Sequence, residues 1–125
     1  MWIGALACGL AVALGAFGAH ALREKLEPRL LEVFQTGVHY QMLHGLALLA
    51  FGIWVPGFSA SSGQDPRWIG WFFLAGILLF SGSLYALSLS GTRWLGAITP
   101  IGGVSFLVAW FGWAAILIQS AVRKS

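Results

Sequence analysis

With 125 residues, 58% of them hydrophobic and 9% charged, and a mean hydropathy of +0.83, the chain lacks the polar surface a water-soluble domain of its size carries. Its net charge of +3 rests on 7 basic residues without a dense basic patch, which argues against a nucleic-acid binder, and a lone cysteine, Cys8, rules out a disulfide scaffold. Composition points to a membrane.

The charged residues set the boundaries. Arg23, Glu24, Lys25, Glu27, Arg29 and Glu32 form one cluster, Asp65 and Arg67 a second, Arg93 stands alone, and Arg123 with Lys124 closes the chain. Between them lie four charge-free stretches, and a helix needs about 20 apolar residues to cross roughly 30 Å of hydrocarbon. The expected fold is therefore all-α, an integral membrane four-helix bundle in one domain, with spans at about 2–22, 37–56, 68–90 and 97–120.

The first stretch, Trp2 to Leu22, carries a small-x-small pattern at Ala19-His20-Ala21, as a signal peptide would. No basic segment precedes the apolar run, so it is expected to stay as a helix. Ala7, Ala11, Gly15 and Ala19 recur at i+4 and form a smooth ridge for close helix packing. Pro28 fits the first turn of a helix that runs on through Val38 into the second span. Val55-Pro56-Gly57 is expected to close that span, with Ser59 to Pro66 as an exposed turn.

On the third span Gly82, Ala86 and Ser90 repeat the small-residue ridge, read as internal packing with a homo-oligomer contact as the alternative. Thr99-Pro100 reads as an N-cap and first-turn pair, which leaves Trp94 to Ile98 at the interface; a helix from Leu95 kinked at Pro100 is the alternative. Trp2, Trp54, Trp68 and Trp71 gather near the side of the termini as an anchoring belt. The basic counts, three on that side against four on the other, are close; the first loop favours termini outside.

Polar residues crowd the opposite leaflet: His20, His39, Gln41, His44, Ser81, Ser83, Tyr85, Ser88 and Thr99. Gln41 and His44 share a face, as do Ser81, Tyr85 and Ser88, while His39 points elsewhere. Such groups inside a span are a functional-site hypothesis. The plain reading is interhelical hydrogen bonding that fixes the packing. A second reading is a shallow pocket for a lipid headgroup or quinone ring. Two helix N-termini face that layer, Arg93 adds charge, and Gly102 and Gly103 either let a ligand approach the backbone or serve close packing. A metal or haem held by His20 and His44 is a third reading, although Cys8 lies about 18 Å from His20 along the helix. A proton relay through His20, Gln41, His44 and Tyr85 lacks ionisable partners in the other leaflet.

Four motifs then become recognisable: Gly15-Ala-Phe-Gly-Ala-His20-Ala-Leu22, Phe34-Gln-Thr-Gly-Val-His-Tyr40-Gln41-Met-Leu-His44, Phe80-Ser-Gly-Ser-Leu-Tyr85 and Thr99-Pro-Ile-Gly-Gly103. In order and spacing the chain resembles domain-of-unknown-function family 423, the YgdD/YwdK-like small membrane proteins, which are similar to a eukaryotic transmembrane protein numbered 256. The resemblance implies a four-helix protein of a bacterial cytoplasmic membrane. It carries signature positions onto His20, Tyr40, Gln41, His44, Ser81, Ser83, Tyr85, Thr99, Pro100 and Gly103, and brings no established activity.

The expected function is a non-catalytic accessory or lipid-binding membrane protein. Its expected partners are membrane lipids, and a larger membrane complex or a second copy of itself, with no cofactor. The candidate ligand-binding residues are His20, Tyr40, Gln41, His44, Ser81, Ser83, Tyr85, Arg93, Thr99, Gly102 and Gly103.

Overall fold

A computed structural model describes residues 1–124. Four helices are long and apolar enough to cross a membrane: α1 (Trp2–Leu22), α2 (Pro28–Ser62), α3 (Trp68–Ser90) and α4 (Thr99–Lys124), the last preceded by a 3₁₀ segment, Arg93–Ala97. No strand occurs among the described residues.

Each helix starts and stops for a local reason. Glu27 is extended, as a residue before proline prefers, and Pro28 at the first helical position gives up an N–H that had no partner to lose. Gly63 and Gly91 end α2 and α3 in the left-handed region, at φ +69° and +70°, and their N–H groups close back on the Ser59 and Leu87 carbonyls. At α4 the Ile98 carbonyl accepts the first amides, from Ile101 and Gly102, so Ile98 rather than Thr99 is the cap.

Three expectations are corrected. Val55-Pro56-Gly57 does not close the second span, because α2 continues through Pro56 to Ser62; the turn shrinks to residues 63–67. Proline forfeits one helical hydrogen bond, whereas ending the helix within the bilayer would strand several backbone groups. Ala19 leaves the α1 ridge, because a π turn over Gly18–Leu22 rotates Gly18 and Leu22 inward and leaves Ala19 exposed. The Gly82, Ala86, Ser90 ridge does not pack internally either: Ala86 and Ser90 are exposed and Gly82 faces open space. Ser81 and Tyr85 bond to α2, which turns their neighbours at 82, 86 and 90 outward.

α2 is the central element. α1 packs on one side of it, with Gly4 set directly against the backbone of Gly45 and Leu49. α3 packs on another side and also against α4, where Gly102 lies on the backbone of Phe80. The core fills the space between α2, α3 and α4 with Leu48, Phe51, Ile69, Phe73, Ile77, Phe106 and Ala109. α2 and α4 meet mainly through aromatic rings: Phe51 stands edge-on to Trp113 at 5.3 Å, and Trp54 approaches the same indole at 5.8 Å. Trp2, Trp68 and Trp71 are exposed on the side of the termini, and Trp94 on the other.

Candidate functional site

The polar residues resolve into three constellations. The first joins three helices. Gln41, 6% exposed, donates from Nε2 to the Ala7 carbonyl of α1 at 2.9 Å and accepts the Tyr85 hydroxyl of α3 at 2.7 Å. Ser81 adds a bond to the Gly37 carbonyl at 2.7 Å, and Phe34 and Gly37 flank the Tyr85 ring. Gly37 matters because a methyl there would meet the tyrosine ring at 2.8 Å.

The second constellation ties α3 to α4. Ser83 donates to the Phe80 carbonyl at 2.9 Å, so the 2.6 Å contact between Ser83 and Thr99 is donated by Thr99. Farther along the same interface Ser105 donates to the Phe72 carbonyl at 2.7 Å.

The third constellation is aromatic. His44, 3% exposed, lies flat on Phe106 with ring centroids 3.4 Å apart. Its Nδ1 is 2.7 Å from the Tyr40 carbonyl; a carbonyl only accepts, so Nδ1 carries a proton and donates it. Tyr40 stacks on Phe80 at 4.2 Å. Gln41 and His44, expected on one face, therefore serve different neighbours: Gln41 reaches α1 and α3, His44 reaches α4.

Two candidates stand apart. His20 and Arg93 are exposed and make no hydrogen bond or ring contact among the described residues. Cys8 lies beside Gly45, which sets His44 level with the middle of α1, twelve residues from His20 and roughly 18 Å away along the axis. His20 and His44 cannot share a metal or haem iron across that distance, and the same gap breaks the proposed relay. Among the described residues no group of three or more His, Cys, Asp or Glu side chains is placed to hold a metal ion. Gly102 serves helix packing against Phe80, and Gly103 faces the same ring at 3.9 Å.

Sequence reading missed several partners: the Ala7 and Gly37 carbonyls, Phe106 beneath His44, and Trp113, whose buried indole N–H has no partner among the described residues. Backbone acceptors carry no side-chain signal. The small residues at 7 and 37 that give access to them were the available clue.

Outside the spans, Arg67 folds back on Asp65 through Nε and Nη2, at 2.6 to 3.0 Å. The Arg67 side chain holds the Asp65 carboxyl below its usual range, and Asp65 in turn raises the guanidinium.

α1 lies against α2 and leaves a crevice toward α3, open to the bilayer. One stretch, about 330 Å³, runs between Leu6 and Leu10 of α1 and Leu78 and Gly82 of α3, with Gln41 and Tyr85 at its end. A second, about 280 Å³, shares Ile3 and Leu74 with it and continues over Phe51 and Gly52 to Arg67. Together they span from Arg67 to Tyr85 along α3, roughly 27 Å.

Comparison with known proteins adds a family. The profile described as protein of unknown function (DUF423) matches residues 14–103. The chain is similar to the UPF0382 membrane protein YwdK of Bacillus subtilis (strain 168), 46% identical over 121 residues, which cover 97% of this chain and 94% of that one. It is similar also to a UPF0382 membrane protein of Staphylococcus saprophyticus, 50% identical over 108 residues, 86% of this chain and 87% of the other. No solved structure matches. Four apolar helices and relatives named as bacterial membrane proteins make this an integral, multi-pass protein of the cell membrane.

Proposed function

The chain belongs to the DUF423 family of UPF0382 membrane proteins, and from that premise we propose that it is a non-catalytic accessory protein that holds a lipid-like ligand in the crevice between α1 and α3. One observation carries this reading: an apolar, bilayer-facing crevice that ends on a polar pair, the buried Gln41 and the half-buried Tyr85. The walls suit a hydrocarbon chain. The pair suits a carbonyl or hydroxyl, because the Gln41 amide has a second N–H beyond the one given to Ala7 and the Tyr85 oxygen keeps acceptor capacity.

The site differs from a shallow pocket at the α4 N-terminus, since Gly102 there is covered by Phe80 and Arg93 stands outside the bonded groups. Of the expected residues, Gln41 and Tyr85 form the polar end. Ser81 fixes α3 against α2 behind them, and Ser83, Thr99, Tyr40 and His44 brace α3 and α4.

Native mass spectrometry of the full chain in mild detergent tests the proposal. The wild type is expected to retain lipid, and Leu78→Trp to retain one lipid fewer, because Leu78 is 65% exposed, lines the crevice and makes no hydrogen bond that the substitution would break. A wild type without retained lipid, or a Leu78→Trp variant that retains it equally, overturns the reading.

A further inference from the structure

A separate cleft lies where α2 and α4 end side by side, on the face that carries the termini. It measures about 350 Å³ and its lining includes Phe58, Ser61, Ser62, Gln64, Gln119 and Arg123. Below it Phe58 stacks on Trp54 at 4.5 Å, and Trp54 in turn meets Trp113. With Trp2, Trp68 and Trp71 exposed on the same side, this aromatic layer sets the cleft at the level of lipid headgroups.

The cleft has two electrostatic characters at once. α2 and α4 run in the same direction, so both present C-terminal ends, the negative poles of their dipoles. At the end of α2 the Ser59 carbonyl is taken by the Gly63 amide, but the carbonyls of Ser61 and Ser62, both of which line the cleft, accept no hydrogen bond among the described residues. These acceptors call for N–H donors. Arg123 contributes a positive charge across the cleft and has no ion pair among the described residues, whereas Arg67, on the same side, is already committed to Asp65.

We propose that this cleft binds the phosphoethanolamine headgroup of a membrane lipid, with the ammonium on the α2 carbonyls and the phosphate on Arg123. A primary ammonium offers three N–H donors to open carbonyls, and a guanidinium pairs a phosphate through parallel hydrogen bonds. The Gln64 and Gln119 amides, both exposed at the rim, add donors for the phosphate oxygens. A choline headgroup has no N–H to give. An anionic headgroup such as glycerol phosphate satisfies Arg123 and leaves the carbonyls without an ammonium.

The test uses the full chain in mild detergent, mixed with equal amounts of phosphatidylethanolamine, phosphatidylcholine and phosphatidylglycerol of identical acyl chains and read by native mass spectrometry. The ethanolamine lipid is expected to be retained about tenfold over the choline lipid, a difference in binding constant of one decade. Arg123→Gln is expected to lower the retention of all three lipids, which share the phosphate, and Arg123→Lys to keep it. Equal retention of the ethanolamine and choline lipids, preferred retention of phosphatidylglycerol, or undiminished retention of the ethanolamine lipid in Arg123→Gln each overturns the proposal. Leu78→Trp, which blocks the crevice between α1 and α3, is expected to leave the headgroup order intact, so failure of one site is read separately from failure of the other.

Discussion

Gly102 and Gly103 are adjacent in the first turn of α4, yet the same substitution is expected to act on them in opposite directions. A methyl at Gly102 would land on the Phe80 backbone, 2.8 Å from its Cα and in closer conflict with its amide nitrogen. Carbon atoms prefer about 3.5 Å or more, so α4 would have to retreat by roughly 0.7 Å, enough to forfeit about a quarter of the dispersion energy over the contact. Overpacking of this kind costs about 1–3 kcal/mol, and the better helix propensity of alanine returns at most about 1 kcal/mol. Gly102→Ala should therefore lose about 1 kcal/mol. At Gly103 the added methyl meets the Phe80 ring at 3.9 Å, an ordinary contact, so Gly103→Ala should be neutral or gain up to about 1 kcal/mol. Unfolding in mixed micelles with rising dodecyl sulfate, followed by circular dichroism, measures both. Equal shifts, or a less stable Gly103→Ala, would refute the close packing of α3 on α4 and restore ligand approach as the reason for the glycine pair.

The remaining predictions rest on single contacts. Tyr85→Phe leaves the Gln41 carbonyl oxygen without its donor and should cost about 0.6 kcal/mol, with about 1.7 as the upper bound, in the same micelle assay. Gly91→Ala places a side chain at φ +70° and should lose about 1–2 kcal/mol by backbone strain although nothing crowds the site. Because Arg67 lowers the Asp65 carboxyl in the folded turn, the pair favours that turn fully above the ordinary carboxyl pKa, about 3.9, and loses its contribution as pH falls through the depressed value. Amide protection in residues 63–67, taken relative to the intrinsic exchange rate at each pH, should drop over that fall in the wild type and show no such step in Asp65→Asn; identical profiles would sink the assignment.

The spans were legible because charge cannot be hidden in hydrocarbon: Arg23 to Glu32, Asp65 with Arg67, and Arg93 fall at or beside the helix ends. The polar layer was legible in depth for the same reason, since direction of travel alone assigns His44, Tyr85 and Thr99 to one leaflet. Azimuth was not. Two π turns, Gly18–Leu22 and Ile77–Ser81, each insert a residue's worth of rotation, and a strict 3.6 period carried through them puts Ala19 on the wrong face. Helix length past Pro56 was illegible from turn chemistry, because proline and glycine are helix breakers in water but not where backbone groups have no solvent to turn to.

The same azimuthal detail decides between a passive polar layer and a conducting one. Gln41 and His44 sit one turn apart on α2, and a relay would need a proton to pass from the first to the second. Gln41 has its carbonyl on Tyr85 and its amide on Ala7, while His44 has its Nδ1 proton on the Tyr40 carbonyl and its ring pressed on Phe106. A backbone carbonyl accepts a proton bond but does not pass a proton on. Beyond His44 toward the termini the interior is aromatic and aliphatic, with Phe73, Trp110, Phe51 and Trp113 in ring contact. The polar layer thus ends at His44 against an apolar half. The remaining opening among its members is lateral, at Gln41 and Tyr85, where α1 stands off from α3 and the neighbouring medium is lipid. On the proposed function, a polar pair that faces a lateral crevice rather than a transmembrane path would meet a ligand from the bilayer beside it, which is retention rather than passage.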